Sequence, residues 1–152
     1  FLTFFIMSPT LTILYDTAIS PYLQETKPAQ IAMQDGLGII KNFLINNTRE
    51  TDLIMFSDMN GDSSYSNNES VPLSVALPAF ITSELKTAFQ IGFLLFLPFL
   101  VIDMVIASIL MSLGMMMLSP MLVALPFKLL LFVLVDGWAM TIGSLAATYS
   151  IS

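Results

Sequence analysis

Between Ala79 and Gly143 the chain is almost continuously apolar, yet Glu84, Lys86, Asp103, Lys128 and Asp136 interrupt it, together with Pro98, Pro120 and Pro126. This mixture constrains the fold more than any other feature. A lone charge at the centre of a lipid-facing helix costs about 2.5–3.5 kcal/mol on insertion scales. Backbone freed by proline must also find partners inside the hydrocarbon. The stretch therefore predicts helices inside or against a membrane whose polar groups face protein or water, with an interface or a pathway at their centre. Hydrophobic residues make up 56% of the 152 residues, and the mean hydropathy is +0.84. That is more apolar surface than a sphere of this size can hide, so lipid or partner subunits must cover the remainder.

Charge and composition exclude several classes. The net charge is −6. From Asp16 to Lys86 there are nine acids and only four bases. A segment so poor in Lys and Arg is expected away from the cytoplasm by the positive-inside rule, and nucleic acid is not an expected partner. Cysteine and histidine are both absent. This removes a disulfide framework, a thiol nucleophile, the usual zinc site and a Ser-His-Asp triad. No nucleotide motif occurs, and no cofactor or metal is expected.

Three regions follow from the pattern: 1–24, the end of an apolar helix and its extension; 25–77, a helical region with a polar loop at 57–70; and 78–152, a hydrophobic helical region. Ser8-Pro9 either caps a new helix or kinks a continuous one. Thr26-Lys27-Pro28 signals a helix start, and Met33, Leu37, Ile40 and Leu44 fall at the spacing of one apolar face. A short helix is predicted over Thr48–Phe56. The loop is rich in Asp, Asn, Ser and Gly, which favour turns. Asp58, Asn60, Asp62, Ser64, Ser66 and Glu69 partly match a calcium loop, but Ser63 stands where its glycine belongs. A solvated loop is the expectation. Asn46-Asn47-Thr48 and Asn68-Glu69-Ser70 match the glycosylation pattern, which is common by chance. Two long apolar helices are then predicted, about Pro78–Gly114 and Pro120–Ser144, the first kinked at Pro98 or built of two stacked pieces.

Asp103 and Lys128 each lie deep in an apolar run, and a buried ion pair between them is the economical arrangement. Phe43 and Phe56 are large apolar groups on short polar helices. With Glu84 they are predicted to pack against a neighbouring subunit, where aromatic anchors dominate. Asp136, beside Gly137-Trp138, is expected at the interfacial end of the last helix. Asp103 with Asp136 could form a protease dyad, but neither has the surrounding glycine context, and an enzyme is not the expectation. A small-ion channel is a further rival. Met111, Met115, Met116, Met117 and Met121 crowd around Gly114 and Ser119-Pro120, where a break in the helix is expected. From composition they read as core packing or as a deformable apolar seal.

Four stretches carry a resemblance: Phe1–Pro9 (FLTFFIMSP), Ser83–Gly92 (SELKTAFQIG), Pro98–Pro120 (PFLVIDMVIASILMSLGMMMLSP) and Leu125–Trp138 (LPFKLLLFVLVDGW). They resemble the FliP family, export-gate subunits of the flagellar type III secretion system. The resemblance covers nearly all of the chain except the 57–70 loop. The homologous SctR proteins of virulence injectisomes share much of the pattern and supply the alternative reading. Thr87-Ala88-Phe89-Gln90 and Pro126-Phe127-Lys128 look more flagellar.

The resemblance implies an all-α, membrane-type subunit of long kinked helices that assembles as a helical oligomer. It implies five copies joined with FliQ and FliR and with further export-apparatus proteins, in the bacterial inner membrane at the flagellar basal body. In the family an N-terminal signal peptide and an earlier helix precede this region, and the segment corresponding to 25–77 is periplasmic. The implied role is a channel for unfolded exported proteins, contacting membrane lipid and performing no chemistry. Met115, Met116 and Met117 then correspond to the gasket of the export pore.

Overall fold

The computed structural model describes residues 1–61, 65 and 70–149, and every extended element among them is a helix. In chain order these are α1 (Leu2–Leu23), α2 (Ala29–Asn46), α3 (Glu50–Met59), α4 (Leu73–Ser112), α5 (Pro120–Leu134) and α6 (Gly137–Ala147). Helices α1 and α4, of 22 and 40 residues, are long and apolar enough to cross a membrane. Helices α5 and α6 together form a third, bent candidate. The chain packs as two units: Phe1–Thr87 with the tail residues Thr148 and Tyr149, and Ala88–Ala147.

In the first unit, α1 runs straight through Pro9 as one helix, so Ser8-Pro9 does not start a new one. Near its end the helix widens into a π-type turn at Tyr15–Ile19. Pro21 explains the local chemistry. It has no N–H to offer the carbonyl four residues earlier, that of Thr17. The Lys27 ammonium takes that role, with its Nζ 2.7 Å from Thr17 O. The same ammonium pairs with Asp35 at 2.6 Å, tying the end of α1 to α2.

Helix α2 begins after Pro28, whose carbonyl accepts from the Ile31 and Ala32 N–H groups. Its buried residues are Gly36, Leu44 and Ile45, whereas Met33, Leu37 and Ile40 of the expected apolar face are exposed. The reason is steric. A Cβ on Gly36 would sit 3.3 Å from Leu14 Cδ1 and 3.7 Å from Ala18 Cβ, so α1 approaches where the side chain is smallest. Helix α3 starts at Glu50 rather than Thr48, because the Thr48 hydroxyl donates back to Leu44 O and belongs to the end of α2. It also continues to Met59, into the expected loop. Ile45, Val71, Val75 and Ala76 form a small core, with Leu53, Phe56 and Tyr65 against it. Asp62, Ser63, Ser64, Ser66, Asn68 and Glu69 of the calcium-like and glycosylation-like patterns lie outside the described residues.

Helix α4 is a single helix through Pro98, not two stacked pieces. Gly114 ends it in the left-handed region, at φ +71°. The Met115 N–H donates to Leu110 O and the Gly114 N–H to Met111 O, the paired closure that a glycine at this position permits. Ser119 then stands at the N-cap position of α5, with Pro120 at its first position. The single helix expected over Pro120–Ser144 is instead broken by a 62° bend. Asp136, at φ +52°, causes it. Its left-handed backbone closes α5, and its carbonyl accepts from the Met140 N–H to open α6.

Candidate functional site

The turn between α4 and α5 presents the methionines. Met115 is half-exposed, Met116 is 78% exposed and Met117 fully so, while Met111 and Met121 flank them on the exposed ends of the two helices. The Gly114 closure on one side and the Ser119-Pro120 cap on the other hold this turn short. Among the described residues nothing covers Met117.

Behind the turn stands the ion pair. Asp103 lies eleven residues before Gly114, and Lys128 lies eleven after Met117. On helical arms both are roughly 16 Å of rise from the turn, so they meet at the same level. Lys128 Nζ is 2.7 Å from Asp103 Oδ2, with the side chains 21% and 30% exposed. Asp103 Oδ1 is buried and has no hydrogen-bond partner among the described residues. Beyond the pair runs an apolar groove of about 530 Å³ lined by residues such as Leu95, Phe99, Leu131, Phe132 and Met140. Phe99 is one turn before Asp103 and Phe132 one turn after Lys128, so the pair sits at the end of this groove. At the bend, the Phe132 ring stacks edge-on to Trp138 at 5.5 Å.

The other sequence-selected residues gather in the first unit. Phe43 stacks on Tyr149, with centroids 6.2 Å apart and planes 9° from parallel, and it leans on Phe80 at 6.2 Å. The Tyr149 hydroxyl donates to Glu84 Oε2. Burial, then the hydrogen bond to Glu84 and its negative charge, push the Tyr149 phenol up to about 12. Phe56 packs on the small core. Phe43, Phe56 and Glu84 thus each have a partner inside the chain.

Sequence reasoning did not single out Tyr149, a lone tyrosine after the last helix with no local signal. Nor did it give a partner to Asp52, in the first turns of α3. The structure buries Asp52 to 1% exposure and pairs it with Lys86. Ser83 beside it accepts from the Arg49 N–H at 3.0 Å, and Arg49 Nη2 donates to Thr87 Oγ1 at 3.0 Å. The start of α3 is therefore pinned to α4 by polar contacts. Glu84 and Lys86 serve different partners, as their positions two residues apart on a helix require.

The FliP family model matches residues 1–145 of the chain. The chain belongs to the FliP family. Among curated relatives, the flagellar biosynthetic protein FliP of Cereibacter sphaeroides is 70% identical over 98% of this chain and 50% of its own length. That of Pectobacterium carotovorum subsp. carotovorum is 52% identical over 98% of this chain and 58% of its own length. That of Bacillus subtilis (strain 168) is 47% identical over 98% and 67%. The chain thus spans only about half the length of the first two FliP relatives. The family match takes in the methionine turn, the Asp103–Lys128 pair and all six helices up to residue 145.

Proposed function

We propose that this FliP-family chain is a core subunit of the flagellar type III export gate, in which Met115, Met116 and Met117 line the narrowest part of the path for unfolded flagellar proteins. The gate stands in the bacterial inner membrane at the basal body. Several copies, five by family resemblance, assemble with FliQ and FliR, with residues 25–77 on the periplasmic side. The protein guides and seals, and other components supply the energy. Support comes from one observation above all: a family match from Phe1 to residue 145 that includes an exposed methionine turn fixed by Gly114. A closed gate must exclude ions, and an open one must let varied polypeptide slide. Thioethers are apolar and change rotamer readily, so they serve both needs, and an apolar constriction resists wetting.

The test replaces all three methionines with alanine in the full-length protein. Shortened side chains should open the ring, giving ion leakage and slowed growth on expression while secretion is partly retained. Normal assembly with no added ion permeability would show that the methionines only pack.

A further inference from the structure

Thr148 and Tyr149 follow α6, which belongs to the second unit, yet they pack with the first. The contact they make has two complementary halves. One is a socket: the Phe43 ring as a wall and the Glu84 carboxylate as an acceptor. An adjoining cavity of about 290 Å³ between α1 and α2 carries Thr10, Asn42, Asn46 and Asn47. The other half is a tail with one ring and one donor, Tyr149. The near-parallel stack and the hydrogen bond are satisfied together, so ring and hydroxyl fit the socket in a single pose. The phenol holds its proton far above neutral pH and remains a donor to Glu84.

Socket and tail lie 65 residues apart in sequence, from Glu84 to Tyr149. A contact between two different patches of one chain can be made head-to-tail between copies, each giving its tail to the next. Such interfaces close into rings or continue as helices. Exchange costs little, because the contact between copies is the same one made within a chain. Two of the three residues predicted from the sequence to face a neighbour, Phe43 and Glu84, form this socket.

We propose that in the oligomer the Phe43–Glu84 socket of each copy takes the Tyr149 of a neighbouring copy, so that the segment after α6 is a head-to-tail link between subunits. This rests on the homo-oligomeric reading above. It also explains how residues with intrachain partners can serve an interface: the partner is exchanged rather than added.

Residues 1–152 hold no cysteine, so within them the introduced thiols are the only ones. Two differently tagged full-length copies, one Glu84→Cys and one Tyr149→Cys, are co-expressed, and the assembled complex is oxidised. The expected result is a crosslinked dimer carrying both tags, absent when either variant is expressed alone. If no mixed dimer forms while the doubly substituted chain yields only a crosslinked monomer, the exchange is overturned. Phe43→Ala is run in parallel. Oligomer loss there without a mixed dimer sinks the exchange alone, whereas a normal oligomer sinks the interface reading itself. Where the cysteine variants do not accumulate, Tyr149→Phe, which keeps the ring and removes the donor, is measured on native gels. A several-fold drop in the oligomer fraction with intact monomer supports the link, and an unchanged fraction overturns it.

Discussion

At the scale of single residues, buried polar groups are held by partners that are distant in sequence. Asp52 is nearly inaccessible and depends on Lys86. Leaving such a carboxylate without its cation costs more than the pair itself contributes, because desolvation is then uncompensated. Among the described residues its Oδ2 has no partner, which leaves the Lys86 contact as the main compensation. Tyr149 offers a sharper prediction through pH. Its phenol ionises near 10 in an unfolded chain and at about 12 here, first because of burial and then because of Glu84. The folded state therefore retains the proton that the unfolded state loses. The stabilisation from the docked tail is complete below pH about 10 and disappears as pH rises through about 12. Ultraviolet titration of the folded protein against Tyr149→Phe should show Tyr149 ionising late. If the difference titrates near 10, the contact with Glu84 does not hold in solution.

Among the elements, the α5–α6 bend depends on one close approach. A Cβ on Gly137 would lie 2.3 Å from the Phe132 ring, so the ring can cover the bend only because residue 137 has no side chain. Gly137→Ala must push out the ring and lose its edge-on contact with Trp138. Overpacking of this kind costs about 1–3 kcal/mol. Thermal unfolding in detergent should report that loss, and adding Phe132→Ala should make the glycine substitution nearly neutral, since the clash then has no second party. A Gly137→Ala penalty that persists in the Phe132→Ala background would place the cost in the backbone instead. Asp136 next to it holds a positive φ that most side chains avoid, which explains why this short polar residue stands at the break.

For the whole molecule the balance is between what the chain covers and what it leaves bare. Phe89, Phe93, Leu94, Met104, Leu122 and Trp138 are among many large apolar residues left exposed. A single copy cannot bury them, which agrees with a membrane setting and with partner subunits. The Asp103–Lys128 pair is then only partly covered in one copy and would be desolvated further in an assembly. Removing one partner of a buried pair costs ~3–5 kcal/mol, and each single neutralisation should harm oligomer yield and motility. The swap Asp103→Lys with Lys128→Asp should recover part of the loss. A swap no better than the worse single variant would argue that the pair acts through packing rather than direct charge contact.

What the sequence determined by itself was local in origin. Pro28 and Pro120 opened helices and Gly114 closed one, because a missing N–H or a missing Cβ acts on its own turn of backbone. The Asp103–Lys128 meeting was legible because each charge was costly where it stood and no other partner of opposite sign lay deep in the apolar run. The tertiary structure alone decided the rest. Gly36 falls between the apolar positions of α2 and is where Leu14 and Ala18 of α1 approach it. Asp136 looked like a helix end and is a bend, since a left-handed aspartate is one option among several until Phe132 and Trp138 pack over it. Lys27 satisfying Thr17 and Tyr149 reaching Glu84 leave no mark in periodicity or spacing. Such contacts exist only once distant segments share a place, and a chain read residue by residue carries the constraints on its backbone but not the neighbours that folding supplies.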